Sequence, residues 1–370
     1  MKIAIIGSRG YPYVYSGYET LVKELSERLV RKGVSVRVYC HRALFAIRPR
    51  FVNGVELVYM PAIEHKVLSQ LSHSFLSFMH CCFSDVDVIL AVNPANGPFG
   101  LLARVFRKRT AINLDGLEWE RPKWKGFGAK YFFFASGLAS KWYDTLINDS
   151  DEMRKVYIDL FKKDSVVIAY GANIRYSTRP ELISRWGLAT NDYYLIVGRL
   201  VPDNNANIIV EGFLKSNTTK KLVVVGDVPY KDTYATRIKE TAQIDERLIF
   251  TGYVTDPDEL AELYHNAYGY LHGHEHGGTN PTMIKALAFG SAILALNTRF
   301  NQEMLQKGEF GLFFEKNADS VTDLINRSDL APDEMKALKV NSRNGLTDKY
   351  NWDHVTDQYL NVFQELLKDQ

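Results

Sequence analysis

The chain has 370 residues, 46% of them hydrophobic and 24% charged, with a formal net charge of only +2. That length exceeds one ordinary hydrophobic core and fits two domains, and the composition is that of a soluble globular protein, which excludes a disordered or fibrous chain. The apolar runs are too short or too interrupted to span a bilayer, and Met1 leads straight into Lys2-Ile3-Ala4-Ile5-Ile6, a first strand rather than a signal peptide, so the cytoplasm is the expected location.

In chain order, residues 3–7, 34–40, 55–60, 86–92, 111–115, 145–149 and 166–170 are β-branched runs that read as strands, with an amphipathic helix over residues 19–32 between the first two. Such a βαβ series implies a parallel sheet covered on both faces. Residues 171–190 have no strong period and read as a connection; the pattern then restarts with strands at 193–197, 222–225, 248–250, 268–271 and 292–296. The expected fold class is α/β, with two doubly wound domains, 1–172 and 173–370, facing each other across a cleft that holds ligands at the carboxyl ends of the strands.

Four loops at those ends carry chemistry. The first runs Gly7-Ser8-Arg9-Gly10-Tyr11-Pro12 to Ser16-Gly17-Tyr18-Glu19-Thr20; it lacks the GxGxxG spacing of a dinucleotide fingerprint, although a phosphate fits at Gly17. The second, Asp115-Gly116-Leu117-Glu118-Trp119-Glu120-Arg121, leaves Asp115 at a strand tip. Gly198-Arg199-Leu200-Val201-Pro202-Asp203-Asn204-Asn205 puts a guanidinium, a bidentate phosphate ligand, beyond the first strand of the second half; a surface ion pair is the competing reading. Last, His274-Glu275-His276-Gly277-Gly278-Thr279-Asn280-Pro281 joins a carboxylate, a glycine pair and a helix start. Gly277 and Gly278 permit close backbone approach, Thr279 and Asn280 suit an N-cap and Pro281 the first helical position, which together describe either an anion site or an ordinary strand-to-helix turn.

Charge is unevenly spread: residues 1–130 carry about +9 of the total +2, leaving about −7 for the rest. Arg104, Arg107, Lys108 and Arg109 form one basic cluster; a second mixes Arg121, Lys123, Lys125 and Lys130 with Trp124, Phe127, Tyr131, Phe132, Phe133 and Phe134, as interfacial segments do. An anionic membrane surface is the partner this suggests, and a solvated basic face the alternative. Cys40, Cys81 and Cys82 sit in apolar patterns and read as buried free thiols. Asp85-Val86-Asp87 has the spacing of a metal-binding DxD but leads into a strand, and His272, His274 and His276 alternate along one face without further ligands, so no metal is expected.

Taken together, the Gly7–Gly10 block with Ser16-Gly17-Tyr18-Glu19-Thr20, the Asp115-Gly116-Leu117-Glu118-Trp119 run and Glu275-x-Gly277-Gly278-Thr279-Asn280-Pro281 resemble the retaining nucleotide-sugar glycosyltransferases of GT-B architecture, over nearly the whole chain. The likeness is nearest to the subgroup that moves rhamnose from dTDP-rhamnose to a lipid-diphosphate-linked glucose or N-acetylglucosamine at the start of a capsular or cell-wall polysaccharide. It implies two Rossmann-like domains, with the last helix returning to the N-terminal one, a protein peripheral on the inner face of the plasma membrane, no metal or other cofactor, and no nucleic-acid partner. It further implies that Arg199 and the Gly277-Gly278-Thr279 turn bind the donor diphosphate, that Tyr253 packs the nucleotide base, that Glu275 meets the donor sugar and that Asp115 meets the acceptor hydroxyl.

Two departures qualify the likeness. Asn204 stands where relatives often carry Lys, and Lys285 stands where they carry the second Glu of an acidic pair that binds the ribose; a cation cannot accept those hydroxyl hydrogen bonds. Either Lys285 engages phosphate, or ribose recognition is weakened, or the donor is another nucleotide sugar such as a UDP- or GDP-hexose. A chain that has kept the fold and lost transfer, serving as a nucleotide-sugar-binding partner subunit, is the reading from a different class.

Overall fold

A computed structural model describes the chain apart from residues 13–16, 66–67, 123, 125, 229–231, 242–244 and 369–370, so Ser16, Lys123 and Lys125 of the motifs above lie outside the described residues. The chain divides into two compact units, Met1–Tyr170 with Trp352–Gln370, and Gly171–Asn351.

The first unit runs β1 Lys2–Ile6, α1 Gly17–Arg31, β2 Ser35–His41, β3 Phe51–Val52, β4 Val55–Met60, α2 Leu68–Cys82, β5 Val88–Val92, α3 Gly100–Val105, β6 Arg109–Asn113, α4 Phe127–Trp142, β7 Thr145–Asn148, α5 Asp151–Phe161 and β8 Val166–Val167. Its strands lie in the order β3-β4-β2-β1-β5-β6-β7-β8. β1 and β5 pair in parallel and are apolar on both faces, from Ile3 to Ile6 and from Val88 to Val92, because helices cover the sheet twice. α1 buries Leu21, Val22, Leu25 and Leu29 at helical spacing. The one antiparallel pair among the described residues, β3 with β4, is an edge hairpin closed by Asn53 (φ 49°) and Gly54 (φ 78°), the positive pair that a tight hairpin turn needs. The two residues of β3 are too few for a period, so the sequence pattern shows only β4.

The second unit runs β9 Tyr193–Val197, α6 Ala206–Lys215, β10 Lys221–Val225, α7 Thr233–Glu240, β11 Leu248–Gly252, α8 Pro257–Asn266, β12 Gly269–His272, α9 Pro281–Ala288, β13 Ile293–Leu296, α10 Arg299–Met304, β14 Leu312–Phe314, α11 Ala318–Leu330 and α12 Pro332–Asn341. Its six strands pair in parallel in the order β11-β10-β9-β12-β13-β14. The stretch expected to be a bare connection is tied to this sheet's helical layer: Glu262 of α8 accepts bonds from the Thr178 and Arg179 amides, both at 2.8 Å, and from the Ser177 hydroxyl at 2.5 Å. The last helix, α13 Trp352–Lys368, lies in the first unit, where Arg28 of α1 bonds Asp353 at 3.1 Å and Lys32 pairs with Asp357 at 2.7 Å.

Both sheets have one point where strand order reverses, between β1 and β5 and between β9 and β12. Such switch points open a crevice at the strands' carboxyl ends, where the loops of each unit can hold a ligand.

Candidate active site

At the second unit's switch point, the loops after β9 and β12 are bonded to each other. Asn205 (φ 52°), just before α6, donates its side-chain amide to the Gly273 carbonyl at 2.9 Å, and the Glu275 amide bonds the Asp203 carbonyl at 3.1 Å. Gly273 is required here, since a Cβ would lie 2.4 Å from the Asn204 carbonyl oxygen. His274 packs over Gly198 and stacks on His272 with ring centroids 4.5 Å apart. Burial and His274 hold His272 well below the usual imidazole range, so it is neutral. Its Nδ1 meets the Tyr270 hydroxyl at 2.9 Å, Tyr270 donates to Thr282 at 3.0 Å, and Thr282 donates to Asn280 at 2.7 Å. Asn280 caps α9 by accepting from the Thr282 amide, with Pro281 at the first position, and Gly277 adopts φ 119°. The helix therefore starts in a fixed frame with its N-terminal dipole at the switch point.

Charged groups then take their places. Arg199 is exposed, and among the described residues its guanidinium makes no ion pair; its carbonyl is held by the Asn204 amide at 2.8 Å. Asn204 thus shapes the loop that presents Arg199. Glu275 pairs with Lys316 at 2.5 Å and lies 4.0 Å from His276. Gly278 and Thr279 are buried beside the cap, and Lys285 is half-buried on the second turn of α9. Tyr253, just past β11, donates its hydroxyl to the Asp227 carbonyl at 2.8 Å and leaves its ring 55% exposed, a surface on which a base can stack. Lys316 and Asn301, whose side chain bonds the His274 carbonyl at 3.1 Å, carry no local sequence signal, being far along the chain from the loops they steady.

In the first unit, β6 stops at Asn113 and Asp115 follows in a loop, not in the strand. β6 and β7 pair Asn113 with Ile147, so Asp149 occupies the matching place one strand over, beside Asp115. Tyr170 donates to Asp115 Oδ2 at 2.9 Å and Tyr18 to the Asp115 carbonyl at 3.0 Å. Burial raises the Asp115 pKa above the usual carboxylate range; Glu118 adds to that, while Arg121, Tyr170 and Asp149 oppose it. Gly116 (φ 80°) turns the chain ahead of Glu118, which forms an ion pair with Arg121 at 3.1 Å and accepts from the Trp124 indole at 2.6 Å. A carboxyl whose proton affinity is raised toward neutrality, at a strand end, suits orienting or sharing the proton of a hydroxyl group. Tyr170 and Asp149 belong to this cluster and were not legible as site residues; each ends a strand-like run that reads as core. Gly17 begins α1 and is half-buried.

The DxD carboxylates point elsewhere: Asp85 bonds Lys2 at 2.9 Å and Arg37 at 3.2 Å, and Asp87 accepts the Lys2 amide at 2.7 Å, at the opposite end of the sheet. All three cysteines are buried and free. Among the described residues, no three His, Cys, Asp or Glu side chains converge as metal ligands, and no helix is long and apolar enough to cross a membrane.

Residues 179–345 match the family described as glycosyl transferases group 1. Residues 97–173, which hold Asp115, Glu118, Asp149 and Tyr170, match a domain of unknown function, DUF1972. None of the curated proteins matches the sequence. A sucrose-phosphate synthase from Thermosynechococcus elongatus superposes with a TM-score of 0.85 at 18% identity, covering 100% of both chains. HepE from Anabaena, solved in complex with UDP-glucose, gives 0.80 at 14% identity over 99% of this chain and 100% of that one. WaaG, a glycosyltransferase involved in lipopolysaccharide biosynthesis, gives 0.75 at 12% over 98% and 99%. At such identities the likeness speaks for the fold, here the two-domain GT-B fold. The chain therefore has the two-domain GT-B fold, and its residues 179–345 match the glycosyl transferases group 1 family.

Proposed function

We propose that the protein transfers rhamnose from dTDP-rhamnose, with retention, to a lipid-diphosphate-linked glucose or N-acetylglucosamine in cell-surface polysaccharide synthesis. The observation that carries the donor half is the interlocked pair of loops at the second unit's switch point, which sets an exposed guanidinium, a capped helix N-terminus and a carboxylate around one place. In this reading Arg199 and the amides of Gly277, Gly278 and Thr279 stabilise the leaving diphosphate, whose charge grows as the glycosidic bond breaks. Glu275 accepts hydrogen bonds from the sugar hydroxyls, and Tyr253 stacks on the base. Asp115 orients the acceptor hydroxyl, whose proton passes to the departing phosphate as the new bond forms on the same face. No step requires a metal or other cofactor.

A UDP-hexose donor is the second reading, favoured by HepE, a fold neighbour in complex with UDP-glucose, and by Lys285 at the expected ribose position. Purified protein incubated with a lipid-diphosphate-linked sugar and dTDP-rhamnose, UDP-glucose or GDP-mannose decides between them by product and released nucleotide. Nucleotide binding without transfer from any donor would instead make the chain a non-catalytic partner subunit.

The lipid acceptor calls for a membrane-facing surface, and we assign it to the helical layer α2, α3 and α4. These three helices contain no acidic residue, whereas α1 carries Glu19, Glu24 and Glu27. They expose Phe75, Leu101, Val105, Phe127 and Phe134 beside Arg104, Lys130 and Lys141, the combination of apolar wedge and cationic rim that suits an anionic interface. Lys108 belongs to the fold instead, donating to the Ser84 and Val86 carbonyls at 2.8 and 3.1 Å. Vesicle binding should therefore need anionic lipid, weaken with salt, and drop on charge reversal at Arg104 and Lys130; equal binding to neutral vesicles would reject the assignment.

A further inference from the structure

A cavity of about 370 Å³ opens in the first unit on the β2 side of the switch point. Its wall is apolar: Pro12, Leu44, Phe45, Ile47, Val52 and Leu57 contribute to it. Leu44 and Ile47 are 41% and 82% exposed and continue the apolar wall out to solvent. The arm that carries them, residues 42–50, contains Arg42, Arg48 and Arg50 and no acidic residue. Arg48 braces the arm by donating through Nε and Nη2 to the Arg42 carbonyl, both at 3.3 Å, and Arg50 reaches Glu56 at 3.3 Å. Among the described residues the Arg42 guanidinium makes no hydrogen bond or ion pair, and Arg9 lies close by, beside His41. Apolar wall and cationic rim thus share one loop.

Position gives the loop a partner. The arm follows β2 and Asp115 follows β6, at the same edge of one sheet, with β1 and β5 between them. Three steps of strand spacing make that separation roughly 14 Å, the reach of a hexose and its diphosphate. Arg9, after β1, lies on the way. We propose that this cavity holds the first isoprenoid units of a lipid-diphosphate-linked acceptor, with Arg42 and Arg9 at the diphosphate. The inference rests on the transfer reading for its sugar end and stands apart from it in its lipid end.

Farnesyl diphosphate, titrated calorimetrically below its aggregation limit against inorganic pyrophosphate, tests the lipid end without any donor. The wild-type protein should bind farnesyl diphosphate at least tenfold tighter than pyrophosphate. Ile47→Asp and Leu44→Asp, both at exposed positions and checked by unchanged melting temperatures, should abolish that preference, and Arg42→Glu should weaken both ligands. A wild-type protein without the preference, or variants that keep it, would overturn the proposal. Vesicle binding lost in Ile47→Asp with no farnesyl diphosphate preference in the wild type would also overturn it, reassigning the arm to bilayer docking. Transfer to a lipid-linked sugar, measured alongside, separates the two readings: prenyl binding without transfer rejects the transferase reading alone, and transfer without prenyl preference rejects the cavity alone.

Discussion

Tyr170→Phe isolates what the first-unit cluster does. The Tyr170 hydroxyl donates to Asp115 Oδ2 at 2.9 Å, and its ring is buried, so the substitution removes one oxygen and keeps the packing. Burial already pushes Asp115 toward its protonated form, and Tyr170 is one of the groups that hold the carboxylate against that push. A hydrogen bond to a charged acceptor contributes about 1.5–3 kcal/mol. At about 1.4 kcal/mol for each factor of ten, its loss leaves roughly 10- to 150-fold less carboxylate on the acidic side of the titration. If Asp115 acts as the carboxylate, transfer by Tyr170→Phe should fall by about that factor at low pH and converge on the wild-type rate as pH rises. The assay is the pH profile of kcat/KM with saturating donor. A loss that is uniform across pH would mean that Tyr170 serves packing alone, and an unchanged profile would take Asp115 away from the acceptor hydroxyl.

The other expectations concern single groups. Asp115→Asn should cost about 10²–10⁴-fold in transfer with nucleotide binding intact. The raised pKa means that the folded state binds more protons than the unfolded one between the ordinary and the raised value, so wild-type stability falls as pH climbs through that window; the Asn variant should melt higher at neutral pH and lose the advantage below about pH 4, where both states of the wild type are protonated. Arg199→Ala should lower donor affinity and turnover together, by about 3 kcal/mol in the transition state, and unchanged turnover would take Arg199 out of the site. Glu275→Gln keeps the shape beside Lys316 and should suppress transfer while dTDP or UDP still binds; loss of nucleotide binding would give Glu275 a role in the loop's fold instead. Lys285→Glu has a diagnostic sign in calorimetric titration with dTDP and UDP: weaker binding places Lys285 on phosphate, tighter binding places it at the ribose, and no change places it outside the site.

Most of the sheet architecture was legible because parallel strands covered on both faces must be apolar throughout, and runs such as Ile3–Ile6 and Val88–Val92 have no other reason to exist. Short edge elements were not: Phe51–Val52 and Leu312–Phe314 are too brief to show a period, although Asn53-Gly54 is a hairpin signal in its own right. The strand-to-helix loop at Glu275–Pro281 could be read locally, since an N-cap and a glycine at φ 119° are decided within a few residues. What joins that loop to its neighbours could not. Lys316 reaches Glu275 from 41 positions away, and Asn205 reaches Gly273 from 68, distances at which sequence spacing carries no information.

Charge shows the same division between what is local and what is global. The first 130 residues carry about +9, yet the carboxyl ends of β6 and β7 gather Asp115, Glu118 and Asp149. The remaining residues carry about −7, yet the switch point between β9 and β12 is built from Arg199, a helix N-terminus and Lys316. A summed charge acts over a Debye length and selects the kind of surface that a protein approaches, whereas a buried carboxyl or a capped helix acts over a few ångströms in a weakly screened environment. Part of the basic excess of the first unit lies on the arm at residues 42–50, with Arg42, Arg48 and Arg50, and on the acid-free helices α3 and α4, with Arg104, Lys130 and Lys141. Net charge and site charge of opposite sign in one unit are therefore no contradiction: on the proposed function the outer surface meets an anionic lipid, while the inner cluster holds an acceptor hydroxyl.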